Sequence, residues 1–170
     1  ELVRANRGGR INPELNRVLN QAFVISKQTK GAFDPTIRPL VDLWGFIKKE
    51  GYRLPRPGEL KPALMLVDYR KVALKDERVE FGTKGMSIDS GGFGKGYAVD
   101  RAIEALKKAG IKNAMVKAGG DLRVMGLPPD KKYWTVFIED PQKTGNRIAV
   151  YLRSGALSTS GNYENFFIEK

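Results

Sequence analysis

The residues best suited to chemistry lie in Ile88-Asp89-Ser90-Gly91-Gly92-Phe93-Gly94-Lys95-Gly96-Tyr97-Ala98-Val99-Asp100. Glycines at 91, 92, 94 and 96 let the backbone turn tightly and bring its N–H groups against an anion with no Cβ in the way. The helix start behind them adds a partial positive charge, and Lys95 adds a full one. A pyrophosphate or a ribityl phosphate suits such a loop. A glycine-rich connector without a ligand has the same composition and is the competing reading. The loop is not a Walker A sequence, because Gly96 rather than Ser or Thr follows Lys95, and its glycine spacing misses the dinucleotide fingerprint.

Three shorter stretches add to it. Gly31-Ala32-Phe33-Asp34-Pro35-Thr36 joins two predicted helices; Asp34 suits a helix N-cap, and the loop backbone could lie against a planar ligand. Gly119-Gly120-Asp121 follows an apolar strand and reads as a bulge or turn, with Asp121 as a turn residue. Thr159-Ser160-Gly161-Asn162-Tyr163 is a small hydroxyl-rich turn of a common kind.

What is missing narrows the chemistry further. The chain has no cysteine, hence no disulfide, thiolate nucleophile or iron–sulfur cluster. It has no histidine, hence no Ser-His-Asp triad and no imidazole base. Any metal would be a hard ion held by oxygen, and acid–base work would fall to Asp, Glu, Lys or Tyr. Thirty Lys and Arg against 19 Asp and Glu leave a net charge of +11, which favours anionic partners. These cations are scattered and form no all-basic helix face, which argues against nucleic acid as the partner.

The elements that must position these stretches are legible in outline. At 170 residues, 41% hydrophobic and 29% charged, the chain reads as one globular domain with a continuous core. No run approaches the ~20 apolar residues of a membrane-spanning helix. Asn12 and Pro13 open a helix over 12–30 with Leu15, Val18, Leu19, Ala22 and Phe23 on one face; Asp34 and Pro35 open another over 35–46. Residues 50–62, rich in proline and glycine, read as an exposed connector. Met65–Tyr69, Lys71–Leu74 and Arg78–Phe81 read as β segments, the last two as a hairpin across Lys75-Asp76-Glu77, with a short strand at Ser87–Ser90. A helix over 96–109 faces Val99, Ala102, Ile103 and Leu106 inward. Strands follow at 113–118, 121–126, 133–139 and 147–153, and 156–168 is extended. Helices early and strands late make the class α+β.

In their order along the chain, Glu1-Leu2-Val3-Arg4-Ala5-Asn6, GAFDPTIRPLVDLWGF, IDSGGFGKGYAVD, AMVKAGGDLRVMG and ALSTSGNYENFF resemble the ApbE family of FAD:protein FMN transferases, collinearly from residue 1 to 170. The resemblance implies a T-fold-like α+β architecture that binds FAD and Mg²⁺. It implies transfer of FMN from FAD to a threonine hydroxyl of an acceptor protein, with release of AMP; acceptors include flavin-bearing subunits of membrane redox complexes. A FAD pyrophosphatase giving FMN and AMP, or a flavin-binding module without catalysis, are the alternatives. By position, Ala32, Phe33, Asp34, Lys95 and Arg101 correspond to FAD contacts. Ala98 corresponds to a residue whose backbone carbonyl ligates Mg²⁺. The family pattern continues into a His-x-Ile-Asp-Pro segment and further Asp and Thr metal ligands not found in these residues, so the chain reads as one family domain short of the family's N- and C-terminal segments. Family members usually work in the periplasm or on the outer face of the bacterial inner membrane, some as lipoproteins.

Overall fold

A computed structural model describes residues 5–46, 53–140, 145–161 and 168. The chain divides into two compact units, Glu1–Gly92 with Phe167–Lys170, and Phe93–Phe166. The first holds β1 (Gly9–Arg10), α1 (Pro13–Gln28), a 3-10 turn at Pro35–Ile37 running into α2 (Arg38–Leu43), α3 (Pro57–Leu64), a second 3-10 turn at Tyr69–Lys71, and the strands β2 (Val72–Lys75) and β3 (Arg78–Phe81). The second opens with α4 (Gly94–Lys108) and continues as β4 (Ala114–Ala118), β5 (Asp121–Met125), β6 (Trp134–Glu139), β7 (Arg147–Leu152) and β8 (Gly155–Ser158). The class is α+β, with helices concentrated in the first half and antiparallel strands in the second.

In the first unit, Asn12 Oδ1 accepts the Leu15 N–H at 2.7 Å and Pro13 occupies the first helical position, where a missing N–H costs nothing. Val18, Leu19 and Ala22 are buried along one side of α1; a fully buried leucine such as Leu19 is worth about 1.5–3 kcal/mol. The strands run in the order β1-β3-β2, all antiparallel. Lys75 pairs with Arg78, so the hairpin loop is only Asp76-Glu77, and both adopt positive φ, +48° and +57°. That is the type I′ geometry whose twist matches the strands it joins.

In the second unit, α4 buries Val99 and Ile103 and packs on β4 and β5. A 2.7 Å ion pair from Arg123 on β5 to Asp100 on α4 adds a polar tie. The sheets are β4-β5-β8 and β6-β7, both antiparallel. Leu122, Val124 and Met125 on the central strand β5 are buried.

Three expectations from the sequence are corrected. The proline-rich stretch read as a connector contains α3 over Pro57–Leu64, with Pro57 at its start and Pro62 inside. Glu59 stabilises its first turn by accepting the Arg56 N–H at 2.8 Å and by a two-pronged pair with Arg53 at 2.7 and 2.9 Å. The Arg53 guanidinium, then the Arg56 N–H, hold the Glu59 carboxyl down at about 2 against an ordinary 4.5. What this carboxylate contributes is therefore present above pH 4.5 and is lost as pH falls towards 2. Met65–Tyr69 is not a strand: Asp68 caps the 3-10 turn at Tyr69–Lys71 by accepting the Arg70 N–H.

Ser87–Ser90 joins no sheet either. Its backbone groups are satisfied by a side chain: the Asn6 amide accepts the Ile88 N–H at 2.7 Å and donates to the Ile88 carbonyl at 3.0 Å, imitating a strand partner. Of the extended stretch expected over 156–168, β8 accounts for the start, and 162–167 lie outside the described residues.

Candidate functional site

The first unit brings the Gly31–Thr36 loop against the start of the glycine loop. Asp34 is the centre of the arrangement. Its Oδ1 accepts the Thr36 N–H at 2.8 Å and the Thr36 hydroxyl at 2.6 Å, and its Oδ2 accepts the Tyr69 N–H at 2.9 Å. The Thr36 hydroxyl in turn accepts the Asp68 N–H at 2.9 Å. Asp34 is thus the N-cap its residue type suggests and also a clasp to a segment 35 residues away. Phe33, next to it, reaches the glycine loop: a Cβ at Gly92 would stand 3.1 Å from Phe33 Cε2, tight enough that the ring would have to shift by a few tenths of an ångström. The Asp89 N–H donates to the Pro35 carbonyl at 2.8 Å and fixes the loop's entry. Ala32 is exposed beside them.

Not every amide of the glycine loop is free. The Gly91 N–H donates to Asp89 Oδ1 at 2.7 Å, closing a small turn on itself. Phe93 opens α4 without a side-chain cap, which leaves the helix start as a donor-rich end.

The second unit brings three motifs to one cleft of about 740 Å³, within the usual range for small-molecule sites. Lys95 extends from the first turn of α4 towards the β4–β5 turn, its Nζ 4.0 Å from Asp121 Oδ2. That turn is Gly119-Gly120. Ala118 pairs with Asp121 across it, and Gly119 has φ +60°. A Cβ at Gly120 would sit 2.5 Å from the Thr159 carbonyl, a separation no side chain tolerates. The end of β8 clasps the turn: Thr159 donates its N–H and its hydroxyl to the Gly120 carbonyl at 3.0 and 3.1 Å, and the Ser158 hydroxyl donates to Asp121 Oδ1 at 2.5 Å. Lys95, Lys117, the two glycines and Thr159–Gly161 line one part of the cleft, and β6 from Val136 to Glu139 lines another. A hollow of about 630 Å³ along the exposed side of α1 is lined by none of the motif residues.

The remaining two predicted residues also lie on α4. Arg101 pairs with Glu104 one turn on. Ala98 is in the second turn of the helix, where regular geometry commits its carbonyl to the N–H of residue 102. Among the described residues, no three Asp, Glu, His or Cys side chains come close enough to hold a metal ion. Mg²⁺ takes near-octahedral oxygen ligation, commonly one or two carboxylates completed by substrate phosphate and water, and no side-chain cluster among the described residues provides that set alone.

The family model for ApbE matches residues 1–170, the whole chain. The chain belongs to the ApbE family. Among curated proteins it is 32% identical over 184 aligned residues to the FAD:protein FMN transferase of Haemophilus influenzae, covering 99% of this chain and 53% of that protein. It is 30% identical over 174 residues to the FAD:protein FMN transferase of Treponema pallidum, covering 92% and 48%. The crystal structure of the ApbE protein from Thermotoga maritima superposes with a TM-score of 0.90 at 34% identity, covering 99% of this chain and 57% of that one. The apo flavinyl transferase ApbE of Pseudomonas stutzeri gives 0.82 at 29%, covering 98% and 53%. The ApbE fold, T-fold-like α+β, is therefore the fold of this chain, which spans about half the length of the curated relatives it matches.

Within this ApbE chain, the sequence singles out Asp121 and Thr159 without giving them a role; the structure sets Asp121 4.0 Å from Lys95 and Thr159 in the lining of the cleft. Sequence reading missed Lys117, Ser158 and Phe137. Alternation along β4 and β5 was the available signal for Lys117, since it shares a sheet face with Leu122.

Proposed function

We propose that these residues form the flavin-nucleotide-binding part of an ApbE protein: they hold FAD and do not by themselves transfer it. The observation that carries the reading is the cleft where Lys95, the Gly119-Gly120 turn and Thr159 converge, which offers a cation and close-approach backbone of the kind a diphosphate needs. Lys95 is the charged FAD contact, Phe33 and Ala32 supply contacts for the planar part of the ligand, and Arg101 is a further contact. Asp34 acts by holding Phe33 in place. The chain has no imidazole base, and among the described residues no group of three carboxylates gathers.

In the whole protein, the bound FAD is the donor for moving FMN onto an acceptor protein, the reaction in the relatives' names, and on our reading the acceptor group is a threonine hydroxyl and AMP is released. The Ala98 carbonyl, whose second lone pair stays open beyond its helical hydrogen bond, would be one Mg²⁺ ligand among several supplied elsewhere. The acceptors are subunits of membrane redox complexes, and the setting is the periplasmic side of the inner membrane. No helix among the described residues is long and apolar enough to cross a membrane.

The test is to mix the 170-residue chain with FAD, Mg²⁺ and a threonine-containing acceptor peptide, following flavin fluorescence, AMP release and peptide mass together. Saturable FAD binding with neither AMP nor a flavin adduct is the expected result. A peptide gaining the mass of FMN, or free FMN with AMP, would overturn the non-catalytic part. Absence of FAD binding would overturn the whole reading.

A further inference from the structure

We propose that Lys117 is a second phosphate-contacting cation of the cleft and makes it prefer a dinucleotide, with its diphosphate, over a mononucleotide. The inference rests on the flavin-nucleotide reading of the same cleft and extends it to ligand choice. Strand register places the residue. Lys117 on β4 pairs with Leu122 on β5, and Leu122 pairs with Leu157 on β8. All three line the cleft, so they form one row across its sheet face. Lys95 approaches the same Gly119-Gly120 turn from α4, its ammonium 3.6 Å from where a Cβ on Gly119 would be. Two cations from different elements therefore line one cleft together with a turn whose glycines keep the backbone clear of side chains.

The two lysines are not equivalent. Lys95 has the Asp121 carboxylate 4.0 Å away, and Asp121 is also held by Ser158, so part of the Lys95 charge is already answered. Lys117 has no carboxylate within 4.0 Å among the described residues. Glu139 also lines the cleft, but it lies directly across the β6–β7 ladder from Arg147, an arrangement that offsets its charge. A single phosphate needs one cation, and Lys95 suffices. A diphosphate presents two charged groups, and the second gains most from the cation that has no other partner.

Equilibrium binding of FAD, ADP, FMN and riboflavin to the wild-type chain and to Lys117→Gln and Lys117→Arg decides it. In Lys117→Gln, the dissociation constants for FAD and ADP should rise about five- to tenfold, between the worth of an exposed ion pair and that of a charge-assisted hydrogen bond. FMN should change less than twofold and riboflavin not at all, and Lys117→Arg should retain most of the affinity. Wild type binding FAD while Lys117→Gln binds it equally well would overturn this proposal and leave the parent reading standing. Equal losses for riboflavin and FAD would mean a disturbed fold and overturn it too. A wild-type chain that ignores FAD would remove the parent reading, and this one with it.

Discussion

Asp34 accepts three hydrogen bonds, from Thr36 twice and from Tyr69, and every one of them is to its own protein. A carboxylate so engaged has little left for a ligand, and on the flavin-binding reading its part is to fix the loop that carries Phe33 beside Gly92. Asp34→Ala strands two backbone N–H groups in a half-buried setting, and each orphaned donor costs about 1–3 kcal/mol. Asp34→Asn keeps an acceptor oxygen for one of the two sides and should lose less. Urea unfolding followed by circular dichroism should rank the stabilities wild type, Asn, Ala. FAD affinity should fall in the same order, because the Phe33 loop loosens with its clasp. If affinity collapsed in the Asn variant while stability held, Asp34 would be touching the ligand itself.

At the scale of elements, what local pattern specifies was readable and what distant partners specify was not. α1 starts where Asn12 and Pro13 say it should, and β3 over Arg78–Phe81 lies where it was expected. Ile88 failed as a strand residue because its partner is the amide of Asn6, 82 positions earlier, and no local rule points there. α3 was hidden because proline density outweighed the Glu59 cap, whose force comes from Arg53 six residues before it. The four motifs were legible, but their grouping was not: the GAFDPT loop meets Gly92 in one unit, and Lys95 meets Gly-Gly-Asp and Thr159 in the other. The hairpin turn carries its own prediction. Asp76 and Glu77 both sit at positive φ, costly for a residue with a Cβ, and Asn-Gly is the pair this turn favours. Asp76→Asn with Glu77→Gly should raise stability by about 1 kcal/mol, net of the extra unfolded-state freedom of glycine. The Ile11 N–H that donates to the Glu77 carbonyl is untouched by the change. An unchanged or lower urea midpoint would show that the turn is not under the strain its φ values imply.

For the whole molecule the controlling quantity is the net charge of +11. Scattered along the sequence rather than gathered in one basic run, it biases every encounter with a small anion. The field reaches about 30 Å at 0.01 M salt and about 8 Å at 0.15 M, so a doubly charged dinucleotide is steered towards the protein in dilute buffer and hardly at all at physiological ionic strength. Stopped-flow fluorescence should therefore show the FAD association rate dropping roughly three- to tenfold across that range. Riboflavin has no phosphate and supplies the control, with a flat rate. The dissociation rate of FAD should move less than its association rate, because contacts at Lys95 are short-ranged and only weakly screened. A salt-independent FAD association rate would mean that the charge is laid out for solubility alone and that the cleft recruits its ligand by contact rather than by field.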